Sequence, residues 1–186
     1  MADERTAKER PNRKTMRLKG YDYSRGGCCF VTICVRERKA ILSKIFPQKQ
    51  ENLPNRVGTG VPARPQYVVA LSPYGKIVEE TVLYINKQYD AVCIDKYCIM
   101  PDHIHLLVTL QSADLICQER QGCLSLRDVV RQFKTYTTKR CREVAGDKKL
   151  LLWQPHFYDH IIRNDEDYCE KWQYIEENPV KYLYAY

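Results

Sequence analysis

The side chains of this sequence best suited to chemistry lie in three short segments. Its four histidines stand at 103, 105, 156 and 160, in two of them. His103-Ile104-His105 sits within an apolar run, HIHLLVTL. Alternate residues of a strand share a face, with Cα atoms about 6.5–7 Å apart. Two imidazoles so placed can converge on one metal ion, while Ile104, Leu106, Val108 and Leu110 point into a core. The third segment is WQYIEEN, residues 172–178, where Tyr174 and Asn178 are four apart. On a helix they share a face, separated by about 6 Å along the axis. Asn178 then offers a carbonyl oxygen as a third ligand and Tyr174 a phenol beside the metal. Spacing alone also allows a plainer arrangement: imidazoles on a half-exposed sheet face, Tyr174 as a packing anchor and Asn178 as a helix end.

The elements that must position these residues follow from patterning. Residues 28–35, CCFVTICV, read as a buried strand, and 67–71 as a short one. Ser72-Pro73 opens a helix to about residue 89, with serine as cap and proline at the first helical position. Residues 91–99 and 103–110 form a β-hairpin around Met100-Pro101-Asp102. Ser125-Leu126-Arg127-Asp128 has the capping-box pattern and starts a second helix to about 144. A strand at 158–163 and a helix at 165–177 complete the order, with Asn178-Pro179 expected to end that helix. The succession β, α, β, β, α, β, α is the split-βαβ, ferredoxin-like one: an α+β fold with an antiparallel sheet and helices on one face. Residues 36–66, with Pro47, Pro54, Pro62 and Pro65, read as a long loop insertion.

The chain has 186 residues, enough for one domain with a real core. No apolar run approaches a membrane span and the first 20 residues lack the apolar stretch of a signal peptide, so a cytoplasmic protein is expected. Nine cysteines without a C-x-x-C pair read as reduced, mostly buried apolar residues. Thirty basic residues outnumber 23 acidic ones. Residues 1–20 form a basic arm with seven basic residues against three acidic, including Arg13, Lys14 and Arg17; residues 21–186 form the single domain. Arg127, Arg131 and Lys134 crowd the second helix, either as a solvated face or as a surface that tracks phosphates. His156 and His160 either orient DNA or the last helix, or are satisfied structural histidines; Arg163 holds a phosphate or a local carboxylate.

At this point the residues resemble a family. Met100-Pro101-Asp102-His103-Ile104-His105-Leu106-Leu107 resembles the metal-binding strand of single-tyrosine HUH (IS200-like) transposases. Residues 153–164, WQPHFYDHIIRN, and 174–181, YIEENPVK, are similar more narrowly to the REP-associated tyrosine transposase branch. The likeness runs from about Pro11 to Lys181, with 36–66 poorly matched. It implies an HUH-type endonuclease and strand transferase on single-stranded DNA, hairpin or repeat sequences among its targets. It further implies Tyr174 as nucleophile, His103, His105 and Asn178 as metal ligands, Mg²⁺ or Mn²⁺ as the ion, and a monomer or homodimer. Little chain follows Pro179 for a tail that would hold a hairpin. Imidazole ligands by themselves suit manganese, zinc or nickel better than magnesium. Two other functions are compatible with the residues. One is a catalytically idle nucleic-acid-binding module; the other is a metallohydrolase using His103, His105 and His160.

Overall fold

The computed structural model of the chain describes residues 27–48, 67–111 and 125–184. Its elements are β1 (Gly27–Cys34), β2 (Ser43–Pro47), β3 (Tyr67–Leu71), α1 (Pro73–Gln88), β4 (Val92–Ile99), β5 (His103–Leu110), α2 (Leu126–Ala145), β6 (Tyr158–Ile161) and α3 (Asp165–Tyr184). β1, β4, β5 and β6 form an antiparallel sheet in the order β4-β5-β1-β6. β5 lies between β1 and β4, which run parallel to each other, as the ferredoxin-like succession requires.

Alternation along the strands divides the sheet into two faces. Val31, Ile33, Ile104, Leu106, Val108 and Ile161 point into the main core, closed by Val78 and Val82 of α1 and Val130 and Phe133 of α2. Phe30 and Leu107 point the other way and meet Ile175 of α3 in a smaller cluster. The expectation of helices on one face therefore holds for α1 and α2, and α3 covers the opposite face. The reason is visible in α3: Ile175 and Pro179 are its only buried apolar side chains, enough to seat the helix on an outer face and too little to enter the main core.

The caps fix where the helices begin. The Ser72 hydroxyl accepts from the Gly75 amide at 3.1 Å. In α2 the Ser125 and Asp128 side chains each accept from the other residue's amide, and Gly146 ends the helix in the left-handed conformation at φ 65°. The Asn164 amide oxygen accepts from the Asp167 N–H at 2.8 Å and starts α3, whose first turn is acidic, complementing the helix dipole. A Cβ at Gly75 would overlap the Leu42 carbonyl oxygen, so only glycine lets α1 rest on that backbone.

Three further expectations need correction. Residues 36–66 are not wholly loop: Ser43–Pro47 pairs with Tyr67–Leu71 in a two-stranded ribbon. The alternation of Ser43, Ile45 and their exposed neighbours was hidden by the surrounding prolines. The last helix does not stop at Asn178 but runs through Pro179 to Tyr184. Packing overrides the proline there, since Asn178 and Pro179 are both buried. The cysteines among the described residues are free, but only Cys29 and Cys141 of them are fully buried, and Cys93 and Cys169 are exposed. The basic arm and most of the insertion, residues 49–66, lie outside the described residues. Among those described, no helix is long and apolar enough to cross a membrane.

Candidate active site

His103 and His105 open β5 on the outer face of the sheet, the face that carries Phe30, Thr32 and Cys34 of β1. Register places Cys34 beside His103 and Thr32 beside His105. The two imidazoles converge, Nε2 to Nε2, at 3.0 Å. Each ring is fixed from behind. His103 Nδ1 lies 2.6 Å from an Asp102 carboxylate oxygen, and His105 Nδ1 lies 2.8 Å from the Thr32 hydroxyl. With its Nδ1 proton given to Asp102, His103 presents a bare Nε2 lone pair. Thr32 can either donate to His105 or accept from it, so His105 can present Nε2–H or a second lone pair.

Burial is the main reason that both rings stay neutral. It pulls the His103 imidazolium below its usual range even though Asp102 favours the charged form. In His105 burial, then the neighbouring His103 and the Arg38 charge, bring the value down to about 3. Neutral, convergent and anchored imidazoles are the form in which histidine binds metal. Two nitrogens each about 2.1 Å from a common ion, at a right angle, would stand about 3.0 Å apart. The observed separation fits that geometry.

α3 brings the tyrosine to this pair. The Tyr174 ring meets His105 edge-on with centroids 5.3 Å apart and Phe30 likewise at 5.7 Å. Tyr174 is 40% exposed, whereas His105 is 4% exposed. Tyr174 thus meets the histidine pair, through His105, within one chain. Asn178 is buried one turn further along α3. Its neighbour Pro179 lines a cavity with Cys98 and Ile99, the cross-strand partners of His105 and Ile104. This places Asn178 at the His103–His105 end of the sheet, although no hydrogen bond joins it to either ring among the described residues.

The other candidates are dispersed. His160, on the same face, puts Nε2 2.9 Å from both Asp167 carboxylate oxygens and so ties β6 to the first turn of α3. His156 and Arg163 are exposed. Arg127 and Arg131 lie on α2, behind the sheet from Tyr174, with Arg131 2.8 Å from Asp128. Lys134 turns inward: its ammonium donates to the carbonyls of Gln154, Pro155 and His156 at 2.9, 3.4 and 3.1 Å. Burial lowers it to about 8. Its donors are spent on holding the segment before β6, so Lys134 is not a free phosphate contact. Arg13, Lys14 and Arg17 lie outside the described residues.

Sequence reasoning missed several neighbours. Asp102 was adjacent to His103 and legible as its orienting carboxylate; Thr32 and Phe30 required the β1–β5 register. Lys181, one further turn along the tyrosine face, holds its ammonium 5.5 Å from the Tyr174 ring centroid and 3.0 Å from Glu177. Arg38 pairs with the second Asp102 oxygen at 3.3 Å.

Comparison with known proteins points the same way. The IS200-like transposase family model matches residues 68–178, more than half of the chain, from β3 through the Tyr174 and Asn178 turns of α3. An uncharacterized protein of Haemophilus influenzae is 26% identical over 91% of this chain and 89% of its own length. A putative REP-associated tyrosine transposase of H. influenzae is 34% identical, and a REP-associated tyrosine transposase of Escherichia coli 35%. These two matches cover 47% and 48% of this chain, and about half of each named relative. A solved REP-associated tyrosine transposase bound to a REP hairpin shares the fold, with TM-score 0.53 and 23% identity over 90% of this chain and 74% of that one. With the family match spanning the His-x-His strand and the tyrosine helix that meet in the fold, the chain belongs to the IS200-like transposase family.

Proposed function

We propose that this transposase cuts and rejoins single-stranded DNA through a covalent Tyr174 ester, with His103, His105 and Asn178 holding a divalent ion, Mg²⁺ or Mn²⁺. The observation that carries the reading is the convergence of two neutral, back-anchored imidazoles, one of which, His105, lies against a half-exposed tyrosine. An unassisted phenol is only about one part in a thousand ionised at neutral pH. When bound, the ion supplies Lewis-acid polarisation of the scissile phosphate and neutralises one of its oxygens.

The chain's own residues do the rest. Tyr174 Oη attacks phosphorus as its proton passes to water; the bond to the 3′-oxygen breaks and that oxygen takes a proton from water, giving a 5′-phosphotyrosine and a free 3′-hydroxyl. The ester keeps the phosphodiester's bond energy, so a second 3′-hydroxyl can reverse the step and join strands. Phe30 meets the ring edge-on, Ile175 seats its helix on the sheet, and Asp102 and Thr32 hold the imidazoles. A target that is a hairpin or repeat, as in the REP-bound structure, belongs to this proposal.

The test is incubation of the full chain with a labelled single-stranded oligonucleotide pool and Mn²⁺, followed by denaturing electrophoresis and peptide mapping. A nucleotide adduct on Tyr174 is expected, absent from Tyr174→Phe while strand binding persists. Cleavage that survives Tyr174→Phe, or an adduct on Tyr136, Tyr158 or Tyr168, would overturn it. Strand binding with neither cleavage nor adduct would favour an idle binding module.

A further inference from the structure

The turn that follows β1 carries two consecutive non-glycine residues in the left-handed region, Glu37 at φ 59°, ψ 16° and Arg38 at φ 55°. Side chains with a Cβ rarely adopt this conformation, and it persists only where the surroundings impose it. The surroundings here are the hairpin turn that precedes His103. The Val35 amide donates to the Asp102 carbonyl at 2.8 Å and the Leu42 amide to the Pro101 carbonyl at 2.9 Å. The Arg36 amide donates to Leu152 at 2.8 Å and closes a third side. A segment of the insertion is thereby clamped to the metal-ligand strand at the cost of local strain.

The clamp delivers one side chain to the site. Arg38 reaches back so that Asp102 bridges it to His103, with one carboxylate oxygen on each. The Arg38 side chain is 55% exposed and the guanidinium has five N–H donors, of which the Asp102 contact employs only part. A strained turn, clamped backbone and exposed forked cation at the rim of a phosphoryl-transfer site form a coherent set.

We infer that Arg38 is a phosphate-binding residue of this site, its guanidinium taking a phosphate oxygen of the bound strand next to His103 and His105 while Asp102 fixes its position. This rests on the proposed single-strand cleavage. It also gives the start of the insertion a role: the turn exists to place this cation. Arginine suits the task because its fork matches phosphate and stays charged when partly desolvated.

The experiment compares wild type, Arg38→Gln, Arg38→Lys, Arg38→Gly and Asp102→Asn in the full chain with Mn²⁺. The probe is one fluorescein-labelled single-stranded oligonucleotide that the wild type binds. Arg38→Gln should slow adduct formation on the order of tenfold to a hundredfold. It should also lower the salt slope of strand binding by about 0.7, the signature of one lost phosphate contact. Arg38→Lys should keep the slope and recover part of the rate. Arg38→Gly should melt no lower than Arg38→Gln, because glycine accepts the positive φ, yet lose as much rate and slope. Asp102→Asn should slow the rate and leave the slope unchanged. A wild-type rate and slope in Arg38→Gln would overturn the inference. A wild type that forms no adduct would sink the cleavage reading, and the salt slope would still decide whether Arg38 contacts phosphate.

Discussion

Thr32→Val is the sharpest test of how the histidine pair is built. Valine keeps the β-branched shape that a strand favours and removes only the hydroxyl that meets His105 Nδ1 at 2.8 Å. His105 is 4% exposed, so no water replaces the lost partner and the ring nitrogen is left buried without one. That costs about 1–3 kcal/mol of stability. The effect on metal should be separable. A ligand histidine that loses its orienting partner binds on the order of 10- to 100-fold more weakly. Isothermal titration with Mn²⁺, beside urea melts without metal, measures both. Thr32→Ser restores the hydroxyl and should recover most of the affinity. Mn²⁺ affinity unchanged in Thr32→Val, or equally poor in the serine variant, would show that Thr32 does not orient His105 for an ion.

Three further outcomes follow from the geometry. His105 is held near 3 in the folded chain, against about 6.5 when unfolded, so the unfolded chain binds the extra proton between those values. Stability is therefore fully present above about pH 6.5 and falls as pH drops toward 3, by at most about 1.4 kcal/mol per unit from this group; metal-free urea melts of wild type should show the slope and His105→Gln should flatten it. Gly75→Ala should lower stability by about 1–3 kcal/mol in thermal melts, because the new methyl overlaps the Leu42 carbonyl beneath α1. Lys134→Met should destabilise by freeing the Gln154–His156 carbonyls while leaving the salt slope of strand binding intact, and a reduced slope would return Lys134 to the phosphate-binding set.

Much of the fold was legible because local signals agreed with it. Ser72-Pro73, the Ser125–Asp128 capping box and the alternation of 103–110 each marked an element that the structure contains. The juxtaposition of His-x-His with the tyrosine helix came from motif resemblance, and the structure supplies its geometry. What failed to show was long-range. Thr32 has no local mark as a histidine partner, since only the β1–β5 register creates the contact. The strand at Ser43–Pro47 has its partner some twenty residues away and prolines between. Charge misled in a different way: Lys134 belonged by sequence to a basic helix, but its own ammonium faces inward to three carbonyls.

The distribution of exposure across the site matches the two jobs that the proposed reaction would ask of it. Ligand histidines work best neutral and immobile, which calls for burial and for partners behind each ring; His105 has both. A tyrosine nucleophile must instead be reachable by a polymer that cannot enter a closed cavity. Tyr174 meets that need from a helix seated on the outer sheet face through a small cluster of Phe30, Leu107 and Ile175, flanked by half-buried Tyr168 and Trp172. A helix added to the main core, as α1 and α2 are, would have buried the phenol along with its anchor. The extra helix on the second face is therefore what converts a ferredoxin-like sheet with two convergent histidines into a site that can present a nucleophile beside them. The His160–Asp167 contact, together with the Asn164 cap, sets where that helix starts and hence which turn of it meets His105.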